Sequence, residues 1–343
     1  MRENNDFVAY DEETNLNEKP NIILIGAAGH QGREYFKILK ERCNFKALID
    51  SDYELLKKLY DPNKILLLPD FKELNTIDYD IALICLPHFL HKDITLSLLS
   101  SNKMIIKEKP LGFSSSDIKE YHNQMQKYSN FKLFTIVQRN YNPSFKEAKN
   151  KLNLIGKIYN FTYDYELNIE NITTGWRAEF DKCFGGVLLD MGYHVLDIIF
   201  TFFSGLISFS AVNSFCYDEM KKEGLEDSIN IIMRFKNGLS GIININRHSN
   251  LKKELFTIRG DKGIIEIYPS QYLIYDRKGR IIYNQNFSKN QEQIKLSMFE
   301  FFFRNKNNKE FLYEHFKHHC YVVSIIEKIY RQLKENNYTS FKL

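Results

Sequence analysis

Short apolar runs alternate with amphipathic stretches through the first third of the chain. NIILIG (21–26), FKALID (45–50), KILLL (64–68), DIALICL (80–86), KMIIK (103–107) and KLFTIVQ (132–138) read as strands. Between them HQGREYFKILKER, YELLKKLY, HKDITLSLLSS and SDIKEYHNQMQKY carry helical spacing. Runs that are apolar throughout predict strands covered on both faces, and the β–α alternation predicts a doubly wound parallel sheet. This block ends near Arg139.

Beyond it the period changes. After a helix over 143–152, the stretches KIYNFTYDYEL (157–167), SINIIMRF (228–235) and SGIININR (240–247) alternate with period two, and KNG between the last two is a hairpin signal. ELFTIRG, GIIEIYP, YLIYD and RIIYN continue the pattern, with a turn at Gly260–Gly263, before the helical stretch FLYEHFKHHCYVVSIIEKIYRQL. The expected architecture is α/β: a polar tail (1–19), a Rossmann domain (20–139) and an α+β domain (140–343) with a large, mostly antiparallel open sheet and a terminal helix. A length of 343 residues suits two domains.

Composition narrows the classes. With 43% apolar and 26% charged residues the chain can build sizeable cores, and a net charge of +4 gives no basis for nucleic-acid binding. Five scattered cysteines without a CxxC pair fit reduced thiols in a cytoplasm. The polar, acidic tail is expected to be neither signal peptide nor anchor. Residues 195–212 are apolar but contain Asp197 and Gly205, and divide into a helix, a glycine stop and a strand; no membrane association is expected.

Candidate chemistry gathers where strands end, the ligand side of an open α/β sheet. In IGAAGHQG, Gly26, Gly29 and Gly32 stand between strand and helix, spaced for a turn whose backbone cradles a pyrophosphate; Ala28, His30 and Gln31 complete the loop. Asp50 closes the second strand, where a carboxylate bonds a ribose and repels a 2′-phosphate, so NAD is favoured over NADP. The alternative is a glycine turn with a helix-capping Asp. In CLPHFLHKD, Leu86 and Pro87 end the fourth strand and His91 lies one helical turn on, a further cofactor candidate.

IIKEKPLGFSS (105–115) places Lys107, Glu108, Lys109 and Pro110 at the end of the fifth strand. Lys109 is the candidate for taking a hydroxyl proton as hydride leaves, against the alternative that Lys107 and Lys109 are solvated strand ends. In FGGVLLDMGYHVLD (184–197), Asp190 and His194 are four apart, so a helix sets both on one face. They can be a catalytic pair sharing a proton with Lys109, a hydrogen-bonded structural pair, or two metal ligands. No third ligand is evident, and no metal is expected. HFKHHC (315–320) wraps around several helix faces.

Taken together these residues resemble the Gfo/Idh/MocA oxidoreductases, over roughly residues 20–335. The resemblance rests on the glycine loop, Pro87–His91, EKP at 108–110, QRNYNPSF at 138–145, WR at 176–177 and the Asp190/His194 pair. It implies that Lys109 is catalytic with Asp190 and His194 from the second domain, and that Glu108 lies by the nicotinamide ribose. It also implies that Arg139, Trp176 and Arg177 reach the substrate, and that copies pair as homodimers or homotetramers through the open sheet. The implied activity is NAD(P)-dependent hydride transfer at a secondary hydroxyl or ketone of a sugar, nucleotide sugar or cyclitol. A catalytically silent NAD-binding sensor or an NAD-dependent glycosidase of the same fold are the alternatives. Two departures stand out. The glycine loop is one residue longer than the commonest form, as in some nucleotide-sugar dehydrogenases, and Phe184 stands where the family often has the first of three glycines.

Overall fold

The computed structural model of the protein describes residues 19–127, 131–288 and 290–338. All of the expected tail except Lys19 lies outside them. Six strands, β1 (Asn21–Ile25), β2 (Asn44–Ile49), β3 (Leu66–Leu68), β4 (Ile81–Ile84), β5 (Met104–Glu108) and β6 (Leu133–Ile136), pair in parallel in the order β3-β2-β1-β4-β5-β6. Helices α1 (His30–Leu39), α2 (Tyr53–Leu59), α3 (His91–Ser100) and α4 (Ser115–Gln126) connect them. Because the order reverses between β1 and β4, the chain leaves these two neighbours in opposite directions and opens a crevice at their carboxyl ends. The loops after Ile25, Ile49, Ile84 and Glu108 all emerge there, which is why the candidate residues share one sheet edge.

After α5 (Pro143–Lys149) comes the second sheet. Strands β7 (Ile158–Asn168), β8 (Leu206–Ser214), β9 (Ser228–Phe235), β10 (Ser240–Asn246), β11 (His248–Gly260), β12 (Gly263–Tyr268), β13 (Gln271–Asp276) and β14 (Ile281–Asn286) stand in the order β14-β13-β12-β11-β7-β10-β9-β8. Only the β10–β7 pairing is parallel. The period-two pattern has its expected cause: Ile229, Ile231, Met233 and Phe235 of β9 are buried while the residues between them face outward. At the hairpin, Phe235 N–H donates to the Leu239 carbonyl at 2.8 Å, and within the three-residue loop 236–238 Asn237 and Gly238 take left-handed conformations. The inner face packs on α7 (Tyr193–Phe202), which follows α6 (Phe180–Cys183) and precedes α8 (Asp218–Lys222). Phe180–Phe202 has the length and apolarity of a membrane span, yet 83% of its most apolar window is buried inside the protein.

The chain then returns to the first sheet. Met298, Phe299, Phe302 and Phe303 of α9 (Gln291–Asn305) pack with Ile22, Leu24, Tyr35, Leu83 and Phe134. The long α10 (Lys309–Tyr338) places Val322, Val323, Ile326 and Ile329 in the larger core, which spans both sheets. Residues 291–312 therefore complete the core of the first domain, although they lie far beyond the boundary near Arg139.

Candidate active site

The glycine loop is shaped by backbone contact. Gly26 turns with φ 87°, and its N–H and that of Ala27 both donate to the Ile49 carbonyl, at 2.8 and 3.1 Å. A Cβ on Gly26 would lie 2.3 Å from the Cys85 carbonyl oxygen, and one on Gly32 would lie 2.1 Å from that of Gly26. Only glycine lets α1 start this close to the strand ends. Gly29 is exposed and its Cβ position meets nothing nearer than 3.4 Å, so packing does not demand glycine there. It stands at the N-terminus of α1, with no side chain capping the helix. Asp50 accepts hydrogen bonds from Ala28 N–H at 2.9 Å and Asp52 N–H at 3.0 Å, tying β2 to the loop; a carboxylate has two further lone-pair directions for a ligand. His30 is exposed, and Gln31 accepts from Lys295 of α9 at 3.3 Å.

The next loop corrects one expectation. His91 does not face the crevice: it is completely buried, and its Nε2 meets the Leu86 carbonyl at 2.8 Å. Burial, then the Lys107 ammonium, hold its pKa well below the ordinary value, so it braces the β4 end as a neutral ring. Three residues earlier the chain makes a 3₁₀ turn, and it is His88 that points toward the second domain. Its Nδ1 lies 3.3 Å from the Cys183 carbonyl and its ring meets Trp176 edge-on at 4.8 Å. Burial and the Lys109 charge push it down to about 3. No spacing marked His88; only its place just after Pro87 put it at the sheet edge.

Lys109 crosses to the second domain. Its Nζ donates to the Asp190 carboxylate Oδ1 and to the Asp190 main-chain oxygen, both at 2.7 Å, although 81 residues separate them. Arg177 Nε lies 3.6 Å from the other carboxylate oxygen, and its guanidinium sits 4.3 Å over the Trp176 ring. Burial alone would raise the Asp190 carboxyl. The Lys109 and Arg177 charges override it and hold it well below the usual carboxylate range. Glu108 also comes to this edge. It accepts from the buried Tyr35 hydroxyl and from the Lys109 N–H at 3.2 Å, and burial still raises its carboxyl.

Asp190 sits in a wide π-helical turn, Leu188–Gly192, that opens directly into α7. Such turns recur at functional sites because they re-aim side chains out of the regular ladder. His194 follows in the first turn of α7. Burial, then the Arg139 and Lys109 charges, keep it well below its ordinary pKa, while Asp190 opposes them. It is a neutral imidazole whose buried Nδ1 has no hydrogen-bond partner among the described residues. Phe184 occupies the left-handed region at φ 63°, a conformation costly for a bulky residue, and stacks on Phe113 at 4.2 Å between centroids. That departure from glycine brings an aromatic pair to the edge of the site.

Arg139 is only partly where the sequence suggested. Its guanidinium is committed to Glu254, at 2.7 Å through Nε and 3.4 Å through a terminal nitrogen, and it lies 4.5 Å over the Tyr165 ring. Tyr163 also donates to Glu254 at 2.7 Å. Arg139 therefore forms a buried ion pair beside His194, and its charge acts on the site through that ring. The terminal histidines find three separate partners. His315 meets the backbone of Thr135, His318 bonds Asp197 at 2.8 Å, and His319 meets the Tyr193 hydroxyl at 3.2 Å. Asp197, His318 and His319 do bring ligand atoms within 4.8 Å of one another, but Asn140 and Tyr193 share those hydrogen bonds.

The donor set fits a dinucleotide: a backbone cradle that a Cβ would fill at two points, a free helix N-terminus, and two carboxyls, Asp50 and Glu108, at the carboxyl ends of β2 and β5. Facing it are an ammonium, a carboxylate and a neutral imidazole that can hold and move a proton. Comparison with known proteins agrees with this division. Residues 20–135 match the model of an oxidoreductase family with an NAD-binding Rossmann fold, and residues 148–266 match the GFO/IDH/MocA C-terminal domain. The chain is 25% identical over 192 residues to trans-1,2-dihydrobenzene-1,2-diol dehydrogenase of Xenopus laevis, covering 55% of this chain and 56% of that one. The match thus spans about half the length of the curated relative. Levoglucosan dehydrogenase in complex with NADH superimposes with a TM-score of 0.81 at 18% identity, over 93% of this chain and 98% of that one. The WlbA dehydrogenase of Bordetella pertussis, in complex with NADH and UDP-GlcNAcA, gives 0.73 at 16% identity over 93% and 98%. These likenesses extend the shared fold across both domains.

Proposed function

Starting from the premise that the chain belongs to the Gfo/Idh/MocA oxidoreductase family, we propose that it is an NAD-dependent dehydrogenase acting on a secondary hydroxyl, or the matching ketone, of a carbohydrate-type molecule. In this reading the Gly26–Gly32 loop holds the pyrophosphate, Asp50 the adenosine ribose and Glu108 the nicotinamide ribose. Bound NAD supplies the hydride acceptor or donor.

The protein's own part is proton handling. In oxidation Lys109 as the free amine takes the hydroxyl proton and becomes the ammonium, and in reduction the ammonium returns it. Asp190 keeps the ammonium arm aimed, and its low pKa keeps it an acceptor at any working pH. His194, neutral and facing Lys109 and Asp190, hydrogen-bonds the reacting oxygen. Trp176 and Arg177 line an open hollow with Asp190, Ile169–Ile172, Thr174 and Gly175, offering a ring face and a cation to a polyol. The observation that carries the reading is the double contact of the Lys109 ammonium with Asp190 across the two domains.

The diol, anhydrosugar and nucleotide-sugar names among its relatives favour a substrate with neighbouring hydroxyls. The test is absorbance at 340 nm with NAD against a panel of sugars, cyclitols and nucleotide sugars. Turnover of at least one supports the reading, and tight NADH binding without turnover of any overturns it. The five cysteines are unpaired, as a reducing cytoplasm would keep them. The outward face of the second sheet exposes Val212, Ile232 and Ile242, and we assign it to pairing with a second copy.

A further inference from the structure

We propose that Lys107 is a positioning residue for Lys109: its ammonium holds the carbonyls of Pro110 and Leu111 and thereby fixes the loop that presents Lys109 to Asp190. The inference rests on the catalytic reading of Lys109 and goes one residue deeper than it.

Lys107 is fully buried in β5, where a lysine is rare unless paired. No carboxylate forms an ion pair with it among the described residues. Its Nζ instead donates to the Pro110 carbonyl at 3.0 Å and the Leu111 carbonyl at 2.8 Å. These carbonyls belong to the segment just past Glu108, the last residue of β5 to pair with β6, so the sheet ladder does not hold them.

The groups around the ammonium are Glu108 on its own strand, Asp117 and Tyr121 on α4, and His91 on α3. Asp117 is already engaged by Lys92 at 3.0 Å and the Phe113 N–H at 3.0 Å. Tyr121 presents its ring face at 5.5 Å, and His91 is neutral. Burial pulls the ammonium down to about 7, against the raising effect of Asp117 and Glu108. An apolar side chain would fill the strand position without that cost. What only a donor supplies is the anchoring of two successive carbonyls.

The same loop is pinned from the other side. Leu111 N–H donates to the Tyr193 hydroxyl at 3.3 Å, and Tyr193 is the neighbour of His194 at the start of α7, directly after the π-helical turn that carries Asp190. Lys107 thus clamps the sheet end of a short bridge whose far end touches the second domain, with Lys109 in between. Misplacing a reacting group by about 1 Å costs about 100-fold in rate, so this clamp has a measurable consequence.

The experiment compares Lys107→Met, Lys107→Gln and Lys107→Arg. For each it measures kcat and KM on a substrate found in the panel, the Kd for NADH by fluorescence, and amide exchange in residues 111–113 and 133–136. We expect Lys107→Met to lose about 100-fold in kcat, with KM and Kd within about twofold, and to exchange faster only at 111–113. Lys107→Arg should recover most of kcat, and Lys107→Gln, which keeps one donor, should fall between. Wild-type kcat in Lys107→Met overturns the proposal. So does a parallel loss of kcat, NADH binding and protection at 133–136, which marks an ordinary structural residue. If Lys107→Met does not fold, Lys107→Gln decides by the same outcomes. If no carbohydrate is turned over, exchange at 111–113 still decides whether Lys107 holds the loop, and the failure counts against the dehydrogenase reading alone.

Discussion

The two walls of the crevice are built on different principles. The wall offered by the parallel sheet is mostly backbone: Gly26 and Gly32 leave room for the turn, and Asp50 ties it down through two main-chain N–H groups. The facing wall is side-chain charge gathered from distant segments, with Asp190 shared by Lys109 and Arg177, and Arg139 neutralised by Glu254 across 115 residues. One wall recognises a cofactor whose shape is constant. In the proposed reading the other holds a proton-transfer set that Lys109 completes from the end of β5. Cofactor binding then rests on the backbone wall and proton transfer on Lys109 with the side chains it meets from the second domain, so substitutions should separate the two.

The sharpest break is Lys109→Ala. It should lower turnover by about 10²–10⁴-fold, the usual worth of general acid–base help, while NADH fluorescence titration gives a nearly unchanged Kd. Loss of cofactor binding in that variant would contradict the division of labour. Next is Glu254→Gln, which leaves the Arg139 guanidinium buried without a counter-charge beside His194. Breaking such a pair costs about 3–5 kcal/mol, read as a lower Tm in calorimetry, with activity falling through His194 and NADH affinity retained by the folded fraction. On the opposite wall, Gly32→Ala forces a Cβ against the Gly26 carbonyl. It should weaken NADH binding about tenfold or more, roughly 1.4 kcal/mol, with the 109–190 contact left in place.

A separate effect, on stability, comes from protons. Burial lowers the folded-state pKa of His88 and His315 to about 3, and those of His91, His194 and His319 also lie well below the ordinary value. Such a ring gains its proton only on unfolding, at its unfolded pKa of about 6.5. Stability is therefore full above about pH 6.5 and drains as pH falls toward 3. Tm measured from pH 7 down to 4 should drop, and His315→Gln should flatten that slope without touching kcat at pH 7. A slope unchanged by that substitution would remove His315 from the account. Smallest in energy is Ile232→Asp on the outer sheet face, which, on the pairing proposed above, should shift the protein toward monomer in sedimentation while both walls keep working.

Much of the fold was legible because its signals are local. A strand covered on both faces reads as one apolar run whatever its neighbours do, and the KNG turn or a glycine between strand and helix states its own backbone requirement. α9 was missed because its aromatic run packs on the first sheet and carries only a weak one-sided stripe. Lys109 and Asp190, both named from the sequence, meet in the structure, but the sequence pointed to His91 and not His88, and it is the 3₁₀ turn that points His88 toward the second domain. The sequence also singled out Lys109 and left Lys107 no role beyond a strand end, whereas Lys107 lies inside β5 and is fully buried and Lys109 stands just past the strand and reaches Asp190.

By itself, then, the chain determined which residues stand at the carboxyl ends of the strands, since the spacing of apolar runs and glycines sets that edge. Tertiary structure alone decided which charges meet. Ion pairs fall off over a few ångströms and depend on burial, and the partners of Lys109 and Arg139 lie on strands and helices that only folding brings within reach.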